Sequence, residues 1–392
     1  MTASPRQRLL LQYLEPAPVV DETDPQRLQD HLSGALDRLP VTDLALGWRL
    51  RPEVIDAIRS VIPDDVAVWR WVPVFVDSGT GRPADAHVAV GPSRRAPPPF
   101  GDMADFCFLC LDRDEVVEAG LERAVGLGQE IDAHGILLDR IRWHSPSQSP
   151  ATELTCFCDH SRERAARDGL DLTRVAAELE GSVETLDGRR SMVTALLGRG
   201  GPGLVDDFLS WRSDTVTDVV ARLSSGLRKA GLRSALDVFT PALTRSVGQD
   251  LRALAALGEW SKSMTYFDAL GPASMPFELR GYATWLEEAD DTDAAGFLAD
   301  LLGFSAPGFG GRGPRLDALR REISRLSGSI GSDRSVVGVD AVEIAGVCEV
   351  DDSDLEARVG AIRDAGLGLS PCWELLFISG ERIERLARVW DR

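Results

Sequence analysis

The sequence predicts a (β/α)8, or TIM, barrel with helical insertions after its fourth and sixth strands. Short apolar runs recur along the chain with amphipathic helical stretches between them, and strand alternating with helix eight times is the pattern of this barrel. The chain has 392 residues, against roughly 250 for a plain barrel. Long strand-to-helix loops account for the surplus, so a single domain is expected. Barrels of this kind build their sites at the carboxyl ends of the strands, so the residues ending each run are where chemistry is sought.

Residues 1–43 read as a helical prelude, with apolar spacing on one face over 25–39. The eight runs are 44–48, 66–75, 106–111, 135–141, 234–239, 260–266, 336–343 and 368–373. A Pro-rich loop, GPSRRAPPPFGD, follows the second. The fourth is followed by an insertion over 145–207, helical from Asp159 and broken at GRGGPG. A second insertion, 269–333, has its own helices and a Gly-rich turn, FSAPGFGGRGP. Two long loops on one barrel face form walls or a lid.

Composition bounds the function. The formal charge of −19 argues against nucleic acid and anionic membrane as partners, since both need basic surface. No run approaches the ~18 apolar residues of a membrane span. The start, MTASPRQRLLLQYL, continues without a small-residue cleavage site, so a cytoplasmic chain is expected. Six scattered cysteines in such a chain read as reduced thiols. GFGGRG (308–313) lies between helices rather than in a strand–turn–helix phosphate loop, and there is no GxSxG. No resident cofactor or metal is expected.

Carboxylates on the runs carry the catalytic expectation. In GILLDRIRWHSP, period-two alternation puts Leu137, Asp139, Ile141 and Trp143 on one face, with Arg142 on the other. A carboxylate within an apolar strand must be paired or sit in a wet site. In SVVGVDAVEIAGV the same alternation puts Val339, Ala341 and Glu343 together. Carboxyl groups on well-separated strands can face each other across the mouth, as glycoside hydrolysis requires. Asp139 is therefore expected as acid/base, and Glu343 as nucleophile or base. Asp237 in ALDVFTPAL, Tyr266 in SKSMTYFDALGP and Glu374 in SPCWELL are expected, with Arg142, to hold substrate. Trp71, Trp143 and Trp373 fall at or near run ends, where aromatic faces suit sugar rings.

Two further features compete with this reading. Lys262 lies in register with Met264 and Tyr266 on an apolar strand; it either forms a Schiff base, as in an aldolase or lyase, or pairs with a carboxylate such as Asp237. Cys156-x-Cys158-x-His160 offers three soft metal ligands but no evident fourth. Cys107 and Cys110, placed on a strand, point to opposite faces and make a poor metal knuckle.

GILLDRIRW, ALDVFTPALTRSVGQDL followed by WSKSMTY, and CFCDHS resemble motifs of bacterial glycoside-hydrolase-like barrels. The likeness covers residues 130–270 and, more weakly, the last two strands. It implies a barrel with a sugar-directed site, and places Asp139, Arg142, Asp237, Met264 and Tyr266 on motif positions. Ser161 stands where those proteins carry a third cysteine. The expected function is hydrolysis of a glycosidic bond in a small glycoside or oligosaccharide. The alternatives are a Schiff-base enzyme using Lys262 and a non-catalytic sugar-binding barrel.

Overall fold

The computed structural model describes residues 7–14, 23–76, 87–98, 107–304 and 315–391. Among these, eight parallel strands follow one another around the sheet in chain order. They are β1 (Leu10–Tyr13), β2 (Asp43–Leu46), β3 (Ala67–Pro73), β4 (Gly135–Asp139), β5 (Arg233–Val238), β6 (Ser261–Met264), β7 (Ser335–Asp340) and β8 (Gly368–Cys372). A parallel bridge between Leu9 and Leu369, with the Leu369 amide donating to Arg8 O at 2.9 Å, brings the last strand back to the first. The fold is the expected (β/α)8 barrel.

Helices fill the connections. Helix α1 (Pro25–Leu36) follows β1, α2 (Pro52–Arg59) follows β2 and α3 (Asp114–Glu130) follows β3. After β4 come α4 (Pro150–Glu153), α5 (Asp159–Arg167), α6 (Leu172–Ser182), α7 (Leu186–Leu196) and the long α8 (Leu204–Lys229). Then α9 (Leu251–Ala255) follows β5, and α10 (Met275–Glu287), α11 (Ala294–Leu302) and α12 (Arg315–Ile330) follow β6. Finally α13 (Asp352–Asp364) follows β7 and α14 (Gly380–Trp390) follows β8. Local chemistry fixes many starts. Asp24, Asp171, Asp250, Ser274, Asp351 and Ser379 each cap a helix by accepting from a first-turn amide; losing such a cap costs about 1 kcal/mol.

Two elements differ from the sequence reading. The first strand, Leu10–Tyr13, lies inside the segment read as a helical prelude. Residues 107–111 of the run 106–111 form no barrel strand; Phe108 and Leu109 make single antiparallel bridges to Val76 and Val88, in the loop between β3 and α3. Residue 106 and the Gly-rich turn 308–313 lie outside the described residues.

Each strand is buried on both faces, so alternation alone does not say which side faces in. Packing does. Leu10, Ala45, Trp69, Leu137, Ala235, Trp260 and Val336 form one cluster inside the barrel. Their neighbours Leu11, Leu44, Ile136, Leu236 and Val337 join the large shell between strands and helices. The inner cluster is floored by Trp69 and Trp260, edge to face with centroids 5.1 Å apart. The Trp69 indole donates to Asp43 Oδ1 at 2.7 Å, and Arg8 pairs with Asp43 while covering the Trp260 ring. A Cβ at Gly135 would stand 2.6 Å from Trp69 Cζ3, so only glycine admits that floor. Truncating a fully buried residue here, such as Leu137→Ala, costs about 2–5 kcal/mol.

Candidate active site

Two residues beyond the floor cluster, the same inward parity delivers a different chemistry. Gln12 on β1, Trp71 on β3, Asp139 on β4, Asp237 on β5, Lys262 on β6 and Ser370 on β8 replace apolar side chains. A polar tier thus sits directly on an apolar one, toward the carboxyl ends of the strands. Lys262 Nζ donates to Asp237 Oδ2 at 2.8 Å, and both side chains are at most 3% exposed. The Trp71 indole also donates to Asp237. Gly338 leaves room for the lysine, since a Cβ there would meet Lys262 Cε at 3.0 Å. Tyr266 arches over, its ring centroid 5.5 Å from Nζ and its hydroxyl bonded to Cys372. Cys372 in turn donates to Gln12 Oε1 at 3.0 Å.

Charge is concentrated here. Burial pushes Asp237 up to about 7; Lys262 opposes that shift and Asp139 adds to it. Burial pulls Lys262 down, but Asp237, Cys372 and Asp139 around it outweigh this, and its ammonium ends above its ordinary value. Burial raises the Tyr266 hydroxyl well above its usual range. Asp139 accepts the Arg140 amide on Oδ1 at 2.6 Å and has the Arg140 guanidinium 3.9 Å from Oδ2.

Beyond the strand ends lies a second set of buried polar groups. Arg142 is sandwiched between the rings of Phe108 and Phe239, 4.6 and 4.7 Å from their centroids. Burial lowers it to about 10, with Glu278, Asp139 and Asp237 holding it up. Ser145 donates to Glu278, which also accepts the Ala273 amide. Arg358 and Asp268 form a fully buried pair at 2.7 Å. Asp340 at the end of β7 accepts the Phe267 and Asp268 amides, which fixes the loop carrying Tyr266.

Of the residues expected from sequence, the mouth brings together Asp139, Asp237, Trp71 and Tyr266, with Arg142 beside them. Glu343 is not among them. The inward parity of β7 is that of Val336 and Asp340, so Glu343 belongs to the outer face, and the strand has ended before it. Its carboxylate is 67% exposed and 3.5 Å from Arg382 on α14. Glu374 is buried, but it accepts the Leu14 and Leu376 amides and so ties β8 to the end of β1. Trp143 is fully buried in the shell, its indole donating to Arg212 O at 3.2 Å. Trp373 is half-buried beside the end of β8. His160 is exposed, away from Cys156 and Cys158, whose neighbour is Cys110 instead. Gln12, Ser370 and Cys372 were not singled out from sequence; counting by twos from Leu10 and Gly368 reaches them.

A groove of about 540 Å³ lies elsewhere, on the flank between α8, α9 and α12. Two arginines along it, Arg245 and Arg325, are already engaged by Asp206 and Glu322. The mouth is where titratable groups converge.

Comparison with known proteins bears on this architecture. The PgaB (BpsB) glycoside hydrolase domain from Bordetella bronchiseptica superposes with a TM-score of 0.62 at 12% identity, over 98% of this chain and 99% of that one. The likeness is one of fold. A beta-galactosidase from the psychrophilic Marinomonas ef1 gives 0.55 at 12% identity, over 98% of this chain and 59% of that one. Alpha-L-fucosidase isoenzyme 2 from Paenibacillus thiaminolyticus gives 0.52 at 12% identity, with 98% and 49% covered. The chain spans about half to three-fifths of the length of these last two. The resemblance to glycoside-hydrolase barrels drawn from the motifs thus extends to the whole architecture. No family model matches the sequence, and no curated protein is similar to it in sequence. No helix among the described residues is long and apolar enough to cross a membrane.

Proposed function

We propose that this chain hydrolyses a glycosidic bond in a small glycoside or oligosaccharide bound at the barrel mouth. The observation that carries the reading is the polar tier itself, in which Asp139 and the Asp237–Lys262 pair converge with Trp71 and Tyr266 above an apolar floor. Asp139 is the acid/base, protonating the leaving oxygen. Asp237, the second carboxyl group, faces the positive charge that develops on the sugar ring in such reactions. Its bonds to Lys262 and Trp71 hold it in one rotamer, so little reorganisation is needed as that charge appears. Tyr266, Trp71, Trp373 and Arg142 hold the sugar. The reading uses neither Glu343 nor Glu374, and it needs no cofactor. It fits the expected cytoplasmic chain acting on a small carbohydrate.

The Schiff-base alternative is disfavoured by one observation. A lysine nucleophile needs its amine free, whereas Lys262 is held protonated by Asp237 at 2.8 Å. The test is a panel of aryl glycosides and short oligosaccharides assayed with the wild-type chain and Asp139→Asn. Wild type should turn over at least one member, and the variant should lose about 10²–10⁴-fold in kcat, the size of a general acid–base contribution, with Tm unchanged. A variant as active as wild type removes Asp139 from the chemistry. Saturable binding without turnover across the panel favours a non-catalytic sugar-binding barrel.

A further inference from the structure

Three cysteines far apart in sequence meet on the loop side of the barrel. Cys110 lies between β3 and α3, and Cys156 and Cys158 lie between α4 and α5. All three are buried, their sulfurs lie within 4.8 Å of one another, and Cys110 Sγ is 3.4 Å from Cys158 Sγ. Ser161 Oγ completes the group, 3.5 Å from Cys110 Sγ and 3.4 Å from Cys158 Sγ. Behind it, Ser161 donates to Asp112 at 2.5 Å, and Asp112 is held by Arg164 at 3.3 Å.

We propose that Cys110, Cys156 and Cys158 bind one zinc ion, with Ser161 Oγ at the fourth vertex. Tetrahedral zinc with Zn–S of about 2.3 Å sets its sulfurs about 3.8 Å apart, close to the spacing found. Three sulfurs and one oxygen form a soft donor set that suits zinc better than magnesium or calcium. Asp112 then orients the fourth ligand, as outer carboxylates commonly do.

The surroundings are built for an anionic centre. Cys158 is the N-cap of α5 and accepts the Ser161 amide. The Val90 amide points at Cys156 Sγ from 3.5 Å. Arg212, fully buried, gives its protons to the Thr155 and Ser246 carbonyls, and its Nη2 has no hydrogen-bond partner among the described residues. A buried guanidinium without a carboxylate needs a counter-charge. Zinc with three thiolates carries a net negative charge and supplies one; the three thiol protons leave to solvent as the metal binds. A disulfide between Cys110 and Cys158 would use two sulfurs and leave the third without a role. The ion would also fasten the loop bearing Phe108, two residues from Cys110, whose ring packs on Arg142 at the mouth.

The test is metal content. Protein purified in reductant is loaded with zinc chloride, desalted and analysed by mass spectrometry of the elements. About one zinc per chain is expected for wild type, Cys107→Ser and Cys348→Ser, and loss of that zinc in Cys110→Ser and Cys158→Ser. Should those two variants fail to fold, titrating wild type with a mercurial reads the same stoichiometry, with zinc released as three thiols react. Cobalt substitution should give sulfur-to-metal charge transfer, stronger in Ser161→Cys. Wild type that holds no zinc after loading, or zinc that survives in folded Cys158→Ser, overturns the proposal. So does a Cys110–Cys158 disulfide in protein purified without reductant and resistant to zinc loading. A Ser161→Cys protein without the stronger band overturns the fourth ligand.

Discussion

Replacing Lys262 by methionine isolates the central ion pair. The substitution keeps the length of the side chain and removes the ammonium that donates to Asp237 at 2.8 Å. Both side chains are at most 3% exposed, so water does not replace the lost partner, and breaking one side of such a pair costs about 3–5 kcal/mol. With an unfolding entropy of about 2.1 cal/mol/K per residue, a chain of 392 residues has about 0.8 kcal/mol/K, so the expected fall in Tm is about 4–6 °C. The loss also has a pH signature. The Asp237 carboxyl is already raised to about 7 in the presence of Lys262, and removing the cation raises it further. Between the unfolded value near 4 and that raised value, the folded variant binds more protons than the unfolded chain, so its stability falls as pH rises. In the wild type Asp237 titrates at about 7, so the two proteins share this slope up to about that pH and part above it, where the wild-type carboxyl is ionised and the variant's is still protonated; Lys262, itself raised, adds no slope below its ordinary value. The deficit of Lys262→Met should therefore be larger at pH 8 than at pH 5, measured by calorimetry or denaturant titration. Lys262→Met/Asp237→Asn should recover much of it. An unchanged Tm at pH 8, or a deficit that grows toward pH 5, refutes the reasoning. A folded Lys262→Met that loses turnover, with a borohydride-trapped adduct on the wild-type lysine, points instead to Schiff-base chemistry.

Glu343→Gln should be nearly silent, since its carboxylate is 67% exposed and an exposed pair contributes about 0–1 kcal/mol; a loss of turnover comparable to that of Asp139→Asn would return Glu343 to the site. His144 is pulled down to about 3 by burial and by Arg142 and Arg212, so the unfolded chain takes up a proton between about pH 6.5 and 3 that the folded one refuses. Stability should thus fall on acidification through that window, and His144→Gln should flatten the slope in calorimetry from pH 6.5 to 4; an equal slope in both proteins would contradict this.

The barrel was legible because seven of its strands are apolar runs of ordinary strand length, separated by helical periodicity. The eighth was hidden. Leu10–Tyr13 is four residues long and follows a basic start, so RLLLQYL carried no turn signal to mark it as a strand. The run FCFLCL was equally apolar and took its place; of its described residues, Phe108, Cys110 and Leu111 are buried by loop packing rather than by the sheet. In the site, Asp139, Asp237 and Lys262 were legible because a charge within a strand stands out against its neighbours. Glu343 was misplaced for the reason that strand β7 is apolar on both faces. Val337 and Val339 look like Val336 in sequence, and only packing reveals which parity faces inward. Cys110 was judged against Cys107, on the premise of a strand; on a loop it reaches Cys158, 48 residues away, a meeting that no local spacing encodes.

The aromatic floor has a consequence for traffic. Trp69, Trp260 and the Arg8–Asp43 bridge close the amino end of the barrel, and in the tier above them Gln12, Asp139, Asp237, Lys262 and Ser370 are all buried. Asp139 and Asp237 are therefore closed off from the amino end of the barrel. On the proposed reading, ligand, attacking water and departing product would all use the opening at the carboxyl end, and would use it in turn. A sugar seated over the carboxyl groups, as proposed, would stopper that opening and trap whatever water entered ahead of it. Turnover would then be set as much by how quickly the loops around the opening let go as by the chemistry beneath.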